Sequence, residues 1–268
     1  MIPIGGEKVW SGFRGRTERS ILVRMRTLGN LGQLENLQVS LTNRMLARLP
    51  RGEFERLIPD LRYVPLPKGE VLYEAGDRIR HAYFLNENAL ASVIFTMQDG
   101  AGMEVCVVGS EGLVSIQAYL GPSVYPARIV VQNTGSALRI DAEILRAAFH
   151  RGGVLQSVLL RYTQAVVTQI AQAAACNHLH TVEQRLARWL LTIHDRVPDD
   201  ISLTQEVISR RLGIHRSSIS EAIVILQQRG VIRHTRGHIA ILEPASLRAV
   251  ACECYEIIKK QYDFLPLR

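Results

Sequence analysis

Cysteine is scarce in this chain of 268 residues: Cys106, Cys176, Cys252 and Cys254 are the whole set. They form neither a CxxC pair nor a disulfide framework for a chain this long, so free thiols in a reducing cytoplasm are expected. Cys252 and Cys254 stand one residue apart, an awkward spacing for a tetrahedral zinc site, and neither a metal nor any other cofactor is expected. No run of 18 apolar residues occurs, which argues against a membrane-spanning helix. The N-terminus lacks the apolar core of a secretion signal, so a cytoplasmic location without a membrane partner is the expectation. The motifs of common catalysis are missing too. There is no Ser/His/Asp order, P-loop, glycine-rich dinucleotide loop or paired-carboxylate motif, and no enzymatic activity is expected.

What the chain does contain is 47% hydrophobic residues and a net charge of +7. The first is enough for a sizeable core, the length fits two domains, and the charge favours a polyanionic partner.

The most informative stretch is LTQEVISRRLGIHRSSISEAIVILQQRG, from Leu203 to Gly230. Val207, Ile208 and Leu212 have helical spacing, and Gly213 suits the positive φ that follows a helix end. Ile219, Ala222, Ile223 and Leu226 mark one face of a second helix. This is the pattern of a helix-turn-helix, which seats its second helix in the major groove of DNA. Val231 to Leu242 then alternates like two strands around Arg236-Gly237, the pattern of a wing. Between Ile201 and Ala240, Arg210, Arg211, Arg216, Arg229, Arg233 and Arg236 face only Glu206 and Glu221, an excess of four positive charges. The candidate DNA-binding residues are Thr204, His215, Arg216, Ser217, Ser218, Ser220, Glu221, Arg233, Arg236 and His238. Arg216 has the planar fork that reads guanine, and the wing arginines suit phosphate.

Upstream, residues 1–35 read as an irregular basic leader, in which Lys8, Arg14, Arg16, Arg19, Arg24 and Arg26 outnumber the acids. Met25 and Met45 offer later starting points. Helical patterning begins near Leu41 and continues through Phe54, Leu57 and Ile58. From Leu61 to Ile140, short apolar runs alternate with turns such as Pro67-Lys68-Gly69-Glu70 and Ala75-Gly76-Asp77, as in an all-β sandwich or roll. A short helix is expected at Ala142–His150 and a long one from Val154 to His180. The long helix carries Leu155, Val158, Leu159, Tyr162, Val166, Ile170, Ala173 and Cys176 at steps of mostly three or four, the stripe of a dimer seam. Thr181-Val182-Glu183-Gln184 is a capping box that starts another helix. The divisions are therefore a leader at 1–35, a β-roll of effector type at 36–150, a dimerisation helix at 151–180, and a DNA-binding domain with a C-terminal helix at 181–268.

This order of parts resembles the CRP/FNR superfamily of bacterial transcription regulators. The likeness rests on LPKGEVLYEAGD with Tyr83-Phe84-Leu85, on VEQRLARWLL, and on the Leu203–Gly230 stretch with its wing. The resemblance implies an α+β fold: an N-terminal cupin-like β-roll, a long dimerisation helix and a C-terminal winged helix-turn-helix. It also implies a homodimer that binds a near-palindromic operator in double-stranded DNA and contacts RNA polymerase. Cyclic-AMP-binding members carry a Gly-Glu pair and then an Arg-Ser or Arg-Ala pair that clamp the ligand. Here Glu111 precedes its glycine, and Arg128 follows Pro126-Ala127 and precedes Ile129. Glu111 and Arg128 are the candidate effector-binding residues, and the alternative function is a cyclic-nucleotide-dependent sensor that binds DNA only when the roll holds ligand. Oxygen-sensing members use an N-terminal cysteine cluster, but no cysteine here precedes Cys106. His81 is the lone histidine of the strand region Leu61–Ile140, short of the His/His/Glu set of a cupin-like enzyme. In the recognition helix, cyclic-AMP-receptor-like members show Arg-Glu-x-x-x-Arg. Arg216 keeps the first position, while Ser217 and Glu221 replace the others, so the operator should differ.

Overall fold

The computed structural model describes residues 42–121, 124–197, 201–235 and 237–265, without the side chains of residues 201 and 202. The expected leader, residues 198–200 and Arg236 lie outside these residues.

The first described elements are a 3-10 turn at Leu46–Arg48 and helix α1 at Arg51–Leu57. Met45, Leu46, Phe54 and Leu57 are buried. Asn43 ties this region to the sheets: its side-chain amide donates to the carbonyls of Leu85 (2.8 Å) and Gly112 (2.9 Å). Eight strands follow: β1 Arg62–Leu66, β2 Val71–Tyr73, β3 His81–Leu85, β4 Leu90–Thr96, β5 Gly102–Val108, β6 Leu113–Val114, β7 Arg128–Asn133 and β8 Gly135–Asp141. Helix α2, Gln117–Leu120, interrupts them. They pair antiparallel into two four-stranded sheets, ordered β1-β8-β3-β6 and β2-β7-β4-β5. Ala82, Phe84, Leu113, Ile129, Leu138 and Ile140 lie buried in the shared core. The two glycine turns read from sequence take positive φ, 92° at Gly69 and 95° at Gly76, which a side chain would resist.

Helix α3, Ala142–His150, begins on the Asp141 side chain, which accepts from the Glu143 and Ile144 amides. Gly152 and Gly153 then turn the chain into the long helix α4, Gly153–Leu179. The free N–H groups of its first turn find a carboxylate from α1: Val154 and Leu155 donate to the two oxygens of Glu53 at 2.9 and 2.8 Å. Leu155, Val158, Leu159, Tyr162 and Val166 are buried in the roll's own core. The expected seam is thus largely spent inside the chain, because those positions face the largest apolar surface nearby. Ile170 of the expected seam stays exposed, and with Leu160 (48% exposed) and Val167 (52%), one residue further round the helix than Leu159 and Val166, it forms an uncovered apolar stripe.

Helix α5, Val182–His194, starts at Thr181 and Gln184 with both capping-box hydrogen bonds present. A short strand β9, Ile201–Ser202, leads to α6, Gln205–Leu212, and α7, Arg216–Gln228. The hairpin β10, Ile232–Thr235, and β11, His238–Ile241, joins β9 in a three-stranded sheet ordered β10-β11-β9. A second core gathers Leu186, Leu190, Ile208, Leu212, Ile219, Ile223, Leu226, Ile232 and Ile239. Helices α8, Pro244–Val250, and α9, Cys254–Lys260, end the described chain. The terminal segment, grouped by sequence with the helix-turn-helix, returns to the first core through Ile258, Tyr262 and Leu265. Tyr262 also donates to Gln169 of α4 at 2.7 Å. No helix among the described residues is long and apolar enough to cross a membrane.

Candidate nucleic-acid interface

The turn between α6 and α7 is built by two residues. Gly213 ends α6 in the left-handed region (φ 62°, ψ 41°), where a Cβ would crowd the following carbonyl. Ser209 closes the turn from below: its hydroxyl donates to the Ile214 carbonyl at 2.5 Å, and the Ile214 amide donates back to the Ser209 carbonyl at 3.1 Å. Ile219, Ala222, Ile223 and Leu226 bury the back of α7, so its other face is set outward.

That outward face carries much of the predicted set. Arg216, Ser217 and Glu221 are exposed, and His215 is exposed at the N-cap with no side-chain capping bond. The first turn of α7 holds no acid, so its free N–H groups and the Arg216 guanidinium form one positive end. Ser218 is half-buried. Ser220 is engaged within the fold, its hydroxyl 2.8 Å from Gln205 Oε1 and 2.9 Å from the Arg216 carbonyl. Thr204 is exposed, but its hydroxyl caps α6 by accepting from the Val207 amide at 3.2 Å. In the wing, Arg233 is exposed opposite Ala240, and exposed His238 pairs with Thr235.

The sequence overcounts the positive surface. Arg211 is buried and lies 3.7 Å from Glu104 of β5, Arg229 pairs with Glu183 of α5 at 3.0 Å, and Arg210 pairs with Glu206. Arg211 is taken into the fold, while Arg210 and Arg229 are exposed but ion-paired, which leaves Arg216 and Arg233 as the described arginines of the 201–240 stretch with no ion pair among the described residues.

Sequence reading missed the residues that join this unit to the roll. The buried Glu104 carboxylate accepts from Trp189 Nε1 of α5 at 2.6 Å and from the Ser92 hydroxyl, with Arg211 beside it. Burial pulls the Arg211 pKa below its ordinary value, and Glu104 opposes that pull. A second buried pair links Glu111 to Arg196, just past α5, at 2.7 Å. Arg196 also donates to the Thr192 carbonyl at 2.7 Å, and Glu111 accepts from the Gly109 amide at 3.1 Å. Burial, the largest single influence, lowers the Arg196 pKa, but the charge and hydrogen bond of Glu111 together with Tyr262 and Cys106 outweigh it and raise the guanidinium above its usual range. The one sequence signal was Trp189 in VEQRLARWLL, whose indole N–H demands a partner once buried.

The candidate effector residues take separate partners. Glu111 is held by Arg196, whereas Arg128 is half-exposed on β7 and 3.3 Å from Glu74. Beside Arg128, Tyr73 and Tyr125 are buried and stack with ring centres 5.4 Å apart, and Tyr83 meets Tyr73 edge-on at 6.3 Å. Among the described residues, Glu111 and Arg128 therefore share no partner.

Residues 63–151 match the model of the cyclic nucleotide-binding domain, and residues 184–250 match that of the Crp-like helix-turn-helix domain. No curated protein sequence matches the chain. Among solved structures, one described as a crp/fnr-family transcriptional regulator from Eubacterium rectale aligns at a TM-score of 0.61 and 15% identity, covering 77% of this chain and 96% of its own. FixK2 from Bradyrhizobium japonicum aligns at 0.59 and 15% identity, over 72% of this chain and 98% of its own. CLP from Xanthomonas campestris, described as responsive to c-di-GMP, aligns at 0.57 and 14% identity, over 72% and 99%. At such identities the structural likeness is one of fold, and the two domain matches in the expected order supply the rest. With a β-roll, a long helix and a winged helix-turn-helix in sequence, this chain belongs to the CRP/FNR family of transcription regulators and is not an enzyme.

Proposed function

We propose that the protein is a sequence-specific regulator that binds a near-palindromic operator as a homodimer, with α7 as the recognition helix. The observation that carries this is the acid-free, outward-facing first turn of α7, with Arg216 and Ser217 at its tip and a fully packed back. A single helix of this kind reads only a few base pairs, so a second copy is needed to span two half-sites one turn of DNA apart. The uncovered Leu160, Val167 and Ile170 stripe supports α4 as the contact between copies. Arg216 reads base edges. Arg233 meets phosphate, with His238 beside it on the wing and Arg236 a further candidate from sequence. The family match supports contact with RNA polymerase in the cytoplasm.

Selection of bound sites from randomised DNA tests this reading. It should return an inverted repeat for the parent chain and a motif relaxed at one position per half-site for Arg216→Ala. An unchanged motif would remove α7 from the major groove.

The roll of this chain does not use the phosphate clamp of cyclic-AMP-binding relatives. The Glu111–Arg196 pair, the exposed Arg128 and the stacked tyrosines support that reading. Calorimetric titration with cyclic AMP and cyclic GMP should give no micromolar binding. Binding that Arg128→Ala abolishes would restore the alternative of a cyclic-nucleotide-dependent sensor.

A further inference from the structure

Cys176 lies in the last turn of α4, and His180 is that helix's C-cap, four positions on and on the same side. Cys252 and Cys254 flank Glu253 where α8 gives way to α9. Folding brings the two pairs together, although Cys176 and Cys252 are 76 positions apart in sequence. The four ligand atoms all lie within 4.8 Å of one another. Cys176 Sγ is 3.5 Å from Cys252 Sγ, and Cys254 Sγ is 3.6 Å from His180 Nδ1.

These are the spacings of ligands around one ion. Tetrahedral zinc, with bonds of about 2.3 Å to sulfur and about 2.0 Å to nitrogen, holds its sulfurs about 3.8 Å apart and sulfur and nitrogen about 3.5 Å apart. A disulfide would need sulfurs at about 2.05 Å. An iron–sulfur cluster anchors its cysteines on different iron atoms and sets them wider than this group allows.

The surroundings fit as well. His180 turns Nδ1 toward the sulfurs while its Nε2 lies 3.2 Å from a Glu253 carboxylate oxygen, the outer-shell arrangement that fixes a ligating imidazole. Gln172 Nε2 donates to Cys254 Sγ at 3.1 Å. The three sulfurs are buried as a group separate from both apolar cores. Nearby, buried Arg188 acts electrostatically on Cys176, and its Nε has no hydrogen-bond partner among the described residues. Three thiolates and one imidazole around a divalent ion carry one net negative charge, which that guanidinium offsets. Soft sulfur donors select zinc over magnesium or calcium.

We propose that Cys176, His180, Cys252 and Cys254 form a structural Zn2+ site that clasps the end of α4 to the segment leaving the helix-turn-helix. With four protein ligands the site is closed and has no open position for catalysis. It fixes the angle at which α9 returns to the long helix. The site stands whether or not α7 reads DNA.

The test uses the full chain, purified under reducing conditions and loaded with Zn2+ or Co2+. Elemental analysis should give about one Zn2+ per chain. Co2+ should give the intense visible bands of tetrahedral coordination with sulfur-to-cobalt charge transfer. Cys254→Ser and His180→Ala should weaken binding at least tenfold, while Cys106→Ser, a buried cysteine of the roll, should bind as the parent does. Removal of zinc by a chelator should lower the Tm of the parent and leave that of Cys254→Ser unchanged. If the serine variant fails to fold, His180→Cys keeps four ligands and should still bind Co2+ with stronger charge transfer. Zinc at background with no tetrahedral cobalt spectrum would overturn the proposal. So would undiminished binding in the Cys252→Ser/Cys254→Ser double variant, or a Cys176–Cys252 disulfide in protein that takes up no metal.

Discussion

At the scale of single residues, charge decides by its surroundings. Arg216 and Arg196 are the same side chain with opposite duties. Arg216 is exposed at a helix start, and Arg196 is buried against Glu111. Arg216→Ala should leave the melting curve unchanged and cost about 1–3 kcal/mol per half-site in operator binding, read by fluorescence anisotropy. Arg233→Ala should weaken all DNA sequences alike and lower the salt slope by about one unit, measured over a salt series. Arg196→Ala should instead strand the Glu111 carboxylate and cost about 3–5 kcal/mol of folding stability in urea melts. Adding Glu111→Ala should recover part of that loss, because the stranded charge is then gone.

Elements impose the next constraint, since each helix has two sides and the fold uses one first. In α4, Leu159 and Val166 belong to the roll's core, while Leu160 and Val167 lie one residue further round and are uncovered. Leu160→Glu with Val167→Glu should therefore give folded monomers in analytical ultracentrifugation, and Leu159→Glu should unfold the roll. The turn between α6 and α7 is sensitive in another way. Gly213→Ala forces a side chain into the left-handed region and should cost about 1–2 kcal/mol in a thermal melt. The added Cβ would meet only the flexible Met103 side chain, 3.3 Å away at Sδ, so strain rather than collision sets the cost.

The whole molecule is two cores joined by apolar contacts, with Leu90 and Val107 of the roll in the second and Ile258, Tyr262 and Leu265 of the C-terminal segment in the first, and by buried polar ones. Glu104 is the centre of one such contact, shared by Ser92 and Trp189 through hydrogen bonds and by Arg211 through its charge. Glu104→Ala leaves an indole N–H and a guanidinium buried without their acceptor. Differential calorimetry of this variant should resolve two transitions, one per core, where the parent chain melts in one. A single unshifted transition would mean that the contact does not couple the domains.

How far the chain could be read from sequence follows from how local each signal is. The helix-turn-helix, its wing, the α3 boundaries and the Thr181 capping box were all legible. Each depends on residues within a few positions of one another: helical spacing of apolar side chains, a glycine at a helix end, a hydroxyl facing an amide three residues on. The strands of the roll were legible as strands because short apolar runs between turns are local as well. Sequence did not determine which strands pair, which stripe of α4 the roll would claim, or that Arg211 would be buried against a strand more than a hundred positions away. It did not show that Cys176 and His180 would meet Cys252 and Cys254. Those outcomes depend on groups far apart in the chain that meet only when each core forms and the two dock. Burial then presses polar groups toward whichever partner lies within reach, and that choice belongs to the tertiary structure alone.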